Sequence, residues 1–351
     1  MSLMAKRLFF FEKWMDEAGL KNAIGNPVIS LVQMDQSDDE GQIWLALADA
    51  HGYQLRPSTE TKRKFWPGRS FLERCPNLLA VSSAGAGYDM VDVEACNEAG
   101  VLVVNQSGSN SESVAQHVIG MMLALAKQII QSNHAIRQEK RDWTRWDYCG
   151  HELTGRTIGI VGLGNIGRRV ARLAKAFNMT VMAFDPYITD EDFIGCGVEQ
   201  AINLRDLFDV ADVISVNCPL TAETRGMIGE ELYARMKPSS LFITTARGFI
   251  HDENALREAI SEGRIAGAGC DVFGEEPPPH DHPLLEFKNV IVSPHIAGVT
   301  SDANYNMAIF AANQWGDIFA GKKPERLKNP EAWDRYCDRF TDLYGARPEA
   351  A

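Results

Sequence analysis

The chain has 351 residues, 45% hydrophobic and 23% charged, enough for two domains with cores of their own. A formal charge of −12 and an isoelectric point near 5.2 argue against a nucleic-acid or anionic-membrane surface, and they require a buried cation wherever an anionic ligand is received. The amino terminus lacks the apolar stretch of a secretory leader, and the longest apolar run, 118–126, is nine residues, so neither a signal peptide nor a membrane span is expected. Seven scattered cysteines with no C-x-x-C read as reduced thiols of a cytoplasmic protein.

In chain order, apolar runs at 7–11, 28–32, 78–82 and 101–105 predict strands, and 40–51 and 90–100 predict helices. Such alternation gives a parallel sheet with helices on its faces, an α/β fold. Residues 55–69, with Lys62, Arg63 and Lys64 in a row, read as a polar loop. The stretch 111–138 predicts one long helix, capped by Ser111 or Ser113, with Val114, Val118, Met121, Met122 and Leu125 on a broad apolar face that packs or joins subunits.

Between Thr157 and Asp185 the chain reads TIGIVGLGNIGRRVARLAKAFNMTVMAFD. Gly162, Gly164 and Gly167 form G-x-G-x-x-G directly after an apolar run: the first permits a tight turn, the second a close pyrophosphate, the third close packing of helix on strand. The helix that follows offers N–H groups and a partial positive charge to phosphates. Asp185 ends the next strand, eighteen residues after Gly167, where a carboxylate accepts bonds from ribose hydroxyls and repels the extra phosphate of NADP. The cofactor expected is NAD.

Further elements follow: helix Leu204–Val210, strand Val213–Val216, helix 230–236, strand Leu241–Thr244, helix Glu253–Ser261, strands 265–269 and Val290–Val292, helix 304–319, and an aromatic tail, 329–344, expected to dock. In an open parallel sheet, ligands sit beyond the carboxyl ends of the strands. That edge receives Cys218-Pro219, Thr245-Ala246-Arg247, Asp271 with Glu275 and Glu276, and Ser293-Pro294-His295. Reducing a carbonyl with a nicotinamide hydride needs an oriented substrate, stabilisation of the developing alkoxide and a proton donor. Arg247 can clamp a carboxylate with two parallel bonds, His295 can deliver the proton, and Glu276 bonded to it would hold the ring and favour its charged form. Singly, each has a plainer reading: a surface ion pair, a structural histidine, a solvated acidic loop. Their joint placement beside a nucleotide fingerprint favours chemistry. His280 and His282 have the spacing of metal ligands, but no third ligand group accompanies them, so a loop and no metal is expected. Cys218 and Cys270 read as small buried thiols.

The segments SSAGAGYDMVDVEAC, NQSGSNSESVAQHVIGMMLALAK, GIVGLGNIG with FDPY, TTARGFIHDENAL, GAGCDVFGEEPPP and SPHIAG, in this order over nearly the whole chain, resemble the D-isomer-specific 2-hydroxyacid dehydrogenases. That family includes phosphoglycerate dehydrogenases, glyoxylate/hydroxypyruvate reductases and D-lactate dehydrogenases. The resemblance implies Arg247, Glu276 and His295 as the catalytic set. It implies Gly162, Gly164, Asn165, Ile166, Gly167, Asp185, Cys218, Pro219, Thr245, Ala246, Arg247, Asp271, His295 and Gly298 around NAD, with Asp271 on the nicotinamide carboxamide. Ala86, Gly87 and Asn110, with Arg247 and His295, would line the substrate site. It further implies a Rossmann-type doubly wound domain over 107–301 and a discontinuous flavodoxin-like substrate domain of the formate/glycerate dehydrogenase type, 1–106 with 302–351. Hinges would lie near Asn105 and Ser301, and the protein would be a homodimer acting on a small 2-hydroxy or 2-oxo acid.

Two departures stand out: Gln116 where the family has Glu, and no stretch resembling the extra regulatory domain of some phosphoglycerate dehydrogenases. The rival readings are a weakly catalytic NAD-sensing protein of corepressor type and a formate dehydrogenase. The second has Gln in place of Glu276. Whether the substrate is phosphorylated stays open: Arg56, Lys62, Arg63, Lys64 and Arg69 read either as a phosphate site or as a solvated basic loop.

Overall fold

The structure is a computed structural model that describes residues 5–57, 60–138 and 142–348. It divides into two compact units, Met1–Asn110 with Ser301–Ala351, and Ser111–Thr300. The junctions fall after residues 110 and 300, which puts Asn110 with the first unit. No single helix among the described residues is long and apolar enough to cross a membrane.

Among the described residues the first unit holds five parallel strands: β1 (Lys6–Phe11), β2 (Ile29–Met34), β3 (Gly52–Gln54), β4 (Ala80–Ser82) and β5 (Leu102–Val104), in the order β2-β1-β3-β4-β5. This is the flavodoxin-like order. The interior strand β1 is apolar at consecutive positions because helices cover both faces of the sheet. Leu8 and Phe10 pack with Trp315 and Phe319 on one side, and Phe9 and Phe11 with Ile43, Leu47, Tyr53 and Phe65 on the other. Helices Glu17–Gly25 and Ser301–Phe319 touch backbone to backbone, since a Cβ on Gly19 would lie 2.4 Å from that of Ala308.

The predicted polar loop 55–69 is corrected here. It contains a 3₁₀ turn, Arg63–Phe65, whose Phe65 is fully buried, and a helix Arg69–Arg74 begins at its end. The aromatic tail is a helix, Trp333–Tyr344, with Tyr336 and Phe340 in the core.

Among the described residues the second unit holds seven parallel strands: β6 (Thr157–Val161), β7 (Thr180–Phe184), β8 (Glu199–Gln200), β9 (Val213–Val216), β10 (Leu241–Thr244), β11 (Gly267–Cys270) and β12 (Val290–Val292). Their order is β12-β11-β10-β9-β6-β7-β8, so the winding reverses between β6 and β9 and opens a crevice there. The short β8 was not read from the sequence. The single helix predicted over 111–138 is two, Ser111–Ala126 and Ile129–Ile136, set at 60°. Gln128 takes a left-handed φ of 50°, and the Ala126 carbonyl accepts the His151 N–H at 2.7 Å. Ser113 does not cap the first of these helices; its hydroxyl donates to the Ala297 carbonyl at 3.0 Å.

Candidate active site

The glycine turn shows what each glycine is for. Gly162 has φ +93°, and a Cβ there would meet the Cys218 nitrogen at 2.8 Å. A Cβ on Gly167 would lie 2.1 Å from the Gly162 oxygen, so any other residue would push the helix off the strand. A Cβ on Gly164 would meet nothing within 4 Å, which makes it the open side of the turn. Helix Asn165–Ala176 begins there without a side-chain cap, leaving its positive end to an anion. Ile166 packs beneath this turn against the core.

Asp185 is held in place at the end of β7. Its Oδ2 accepts the Leu163 N–H at 2.9 Å and its Oδ1 the Tyr187 N–H at 3.0 Å, fixing the carboxylate beside the turn. The Tyr187 hydroxyl donates to Glu223, a second carboxylate on this rim. Beyond β9 and β10, Asn217 Oδ1 and Thr245 Oγ1 are buried without a hydrogen-bond partner, as acceptors awaiting a ligand's donors would be. Cys218 is half-buried next to Pro219, and burial pushes its thiol up to about 11, so it sits there as a neutral group. These features fit a dinucleotide lying along the strand ends.

Three loops bring Arg247, Glu276 and His295 together in this unit. The loop after β10 carries Arg247, whose Nη1 donates to the Ala246 carbonyl at 2.7 Å. Gly248 follows it because a Cβ there would lie 2.0 Å from the Phe273 carbonyl carbon, so this loop presses directly on the one bearing Glu276. Glu276 Oε1 accepts the Phe273 N–H at 3.1 Å, and its Oε2 meets His295 Nδ1 at 2.7 Å. Burial pushes the Glu276 carboxyl up, but the bond to His295, the charges of His295 and Arg247 and the Phe273 N–H outweigh it and leave the group below its ordinary range.

The loop bearing His295 is pinned by Asp271, which is fully buried at the end of β11. Its Oδ1 accepts the Ser293 hydroxyl at 2.5 Å and the Ile296 N–H at 2.9 Å, and its Oδ2 accepts the Ala297 N–H at 2.9 Å. The main-chain carbonyl of Asp271 takes the His295 N–H at 2.8 Å. His295 adopts a left-handed φ of 55°, a conformation unfavourable to a histidine unless its surroundings impose it. Asp271 therefore anchors the loop, and a nicotinamide carboxamide would have to share an oxygen already in use. Gly298 lies one residue beyond the pinned segment.

Sequence reasoning missed several supports. Glu253 accepts the Gly274 N–H at 2.7 Å and meets His282 Nε2 at 3.2 Å, tying down the Glu276 loop. His282, weighed as a metal ligand, is thus a tether. Ser293 was placed at this edge, but its partner His117, with Nε2 at 3.0 Å from the hydroxyl, was missed. In the first unit, the loop Ser83–Gly87 follows β4; Asn105 donates to the Ala86 carbonyl at 2.6 Å and Ser83 to that of Gly87. Asn110 Oδ1 in the same unit is buried without a hydrogen-bond partner.

A family model described as D-isomer specific 2-hydroxyacid dehydrogenase, NAD binding domain, matches residues 119–297. The D-3-phosphoglycerate dehydrogenase of Methanocaldococcus jannaschii is 40% identical over 261 residues, 74% of this chain and 49% of that protein. A glyoxylate reductase of Korarchaeum cryptofilum is 38% identical over 262 residues, 74% of this chain and 78% of that one. The chain spans about half the length of the phosphoglycerate dehydrogenases it matches. Among solved structures, D-lactate dehydrogenase from Aquifex aeolicus, complexed with NAD and lactic acid, has a TM-score of 0.79 at 27% identity, covering 92% of this chain and 99% of that chain. With the glycine turn, the acid beyond it and the doubly wound sheet in hand, the chain belongs to the D-isomer-specific 2-hydroxyacid dehydrogenase family and carries that family's NAD-binding domain.

Proposed function

We propose that the protein is an NAD-dependent dehydrogenase that interconverts a small D-2-hydroxy acid and its 2-oxo acid. The observation that carries the reading is the 2.7 Å contact of Glu276 with His295, in a site where Arg247 is near enough to lower the same carboxyl. When bound, the reduced nicotinamide supplies the hydride that reaches the substrate's C2. Arg247 receives the substrate carboxylate and fixes the carbonyl carbon. With Nδ1 turned to Glu276, His295 has Nε2 left for the substrate: protonated, it gives a proton to the carbonyl oxygen during reduction, and neutral, it takes the hydroxyl proton in the reverse direction. Glu276 acts through His295 by holding its ring in place. Asp185 supports NAD over NADP.

The assignments of Ala86, Gly87 and Asn110 to the substrate, of Asp271 to the carboxamide, and of a homodimer follow from the resemblance and belong to the same proposal. Exposed Ile129, Ile130, Ile136 and Trp146 support an intersubunit face on this unit. Three of the five basic residues weighed as a phosphate site hold carboxylates, Arg56 with Glu60 and Glu12, Lys64 with Glu40 and Arg69 with Glu98, and the Lys62 ammonium donates to the Gln36 carbonyl at 2.8 Å. This favours an unphosphorylated substrate. The experiment is NADH oxidation followed spectroscopically over a panel of 2-oxo acids, with and without a phosphate group, for the wild type and His295→Gln. Reduction should be rapid in the wild type and at least ~100-fold slower in the variant, with NADH binding nearly intact. NADH binding without turnover of any 2-oxo acid would favour the corepressor-type alternative.

A further inference from the structure

The Ser293 hydroxyl has one proton, and at 2.5 Å from Asp271 Oδ1 it donates that proton to the carboxylate. Its oxygen then has only acceptor capacity for His117 Nε2, which stands 3.0 Å away. His117 must therefore present Nε2–H to Ser293. It lies on helix Ser111–Ala126, one turn beyond Ser113, whose hydroxyl holds the Ala297 carbonyl. The helix thus grips both ends of the segment 293–297, and the middle of that segment is the left-handed His295.

We propose that His117 is a positioning residue: through Ser293 it orients the Asp271 carboxylate, and that carboxylate sets where the His295 imidazole points. Asp271 Oδ1 is shared between the Ser293 hydroxyl and the Ile296 N–H, so its direction depends on both. Losing the His117 bond lets the hydroxyl rotate, loosens that oxygen and frees the turn that holds His295. The kinetic consequence rests on the proposed reaction, whereas the structural consequence does not.

The test uses the full chain with His117→Ala and Ser293→Ala, beside the conservative His117→Gln and Ser293→Thr. Ser293→Cys, with a weaker hydrogen-bonding group, is read alongside in case an alanine variant fails to fold. Amide hydrogen exchange at Ile296 and Ala297 should be about tenfold faster in the alanine variants, the loss of roughly one hydrogen bond, and largely restored by Gln and Thr. The kcat for 2-oxo acid reduction should fall about tenfold, with KM and NADH affinity within about twofold of wild type. Unchanged protection in both alanine variants overturns the proposal. So does a joint decline of kcat, KM and NADH affinity without conservative rescue, which would mark a merely structural role. Faster exchange in a protein whose wild type reduces no 2-oxo acid supports the tether and refutes the reaction.

Discussion

Replacing Glu276 with Gln removes one charge and keeps the shape of the side chain. In the wild type Oε2 meets His295 Nδ1 at 2.7 Å, while Oε1 accepts the Phe273 N–H at 3.1 Å. Gln can preserve the second contact and not the charge of the first. A hydrogen bond to a charged group contributes about 1.5–3 kcal/mol. The His295 side chain is 39% exposed and that of Glu276 21%, so solvent screens the pair and the lower end applies. About 1.5 kcal/mol corresponds to roughly a tenfold fall in kcat, with NADH affinity unchanged because the carboxylate lies beyond the dinucleotide fingerprint. Initial rates of NADH oxidation and a fluorescence titration separate the two quantities. The pH dependence adds a second reading. The folded carboxyl is held below its ordinary value of about 4.5, so its contribution to stability is present above that value and lost as pH falls through the lowered one. The melting temperature of the wild type should therefore drop more steeply below about pH 4.5 than that of Glu276→Gln. Wild-type kcat in the variant, with parallel melting curves, would refute the reasoning.

For Arg247→Ala, kcat/KM for a 2-oxo acid should fall at least ~100-fold while NADH still binds; near-normal values would mean that another cation takes the carboxylate. Asp185→Ser should raise the NADPH-to-NADH ratio of kcat/KM by about tenfold, and a native preference for NADPH would contradict the role given to this acid. Gly167→Ala puts a methyl 2.1 Å from the Gly162 oxygen, which only a backbone shift relieves. It should weaken NADH binding and cost about 1–3 kcal/mol, a fall of several degrees in melting temperature by calorimetry.

The second unit was the more legible in sequence because its signals are local. Helices Leu204–Val210 and Glu253–Ser261, and strands Val213–Val216, Leu241–Thr244 and Val290–Val292, have the bounds that periodicity predicts. Helix Asp190–Cys196 was overlooked although Thr189 and Asp192 form a capping box, a signal open to sequence reading. The break after Ala126 had no such signal: no glycine or proline stands there, and the carbonyl is drawn off by His151, a partner 25 residues away. Phe65 sits among cations in the sequence, and only the aromatic cluster of Phe11 and Trp44 gives it a core to enter. At the site, Arg247, Glu276 and His295 were readable because each follows a strand. His117 and Ser293 are 176 residues apart and meet only through the packing of a helix on the sheet, which no motif encodes.

Strand β5 is finished by residues from far downstream. Asn329, wholly buried, accepts the Val103 N–H at 2.7 Å and donates to the Val101 carbonyl at 2.9 Å, while Lys328 donates to Val103 at 2.8 Å. The two Asn329 bonds span 226 and 228 residues of chain. During synthesis residues 111–300 are therefore fully translated before the segment that completes the first unit, so the second unit can fold while the first still waits for its closing segment. Until that segment emerges, β5 presents an open ladder to whatever strand comes near, and this interval is when the nascent polypeptide is most exposed to aggregation.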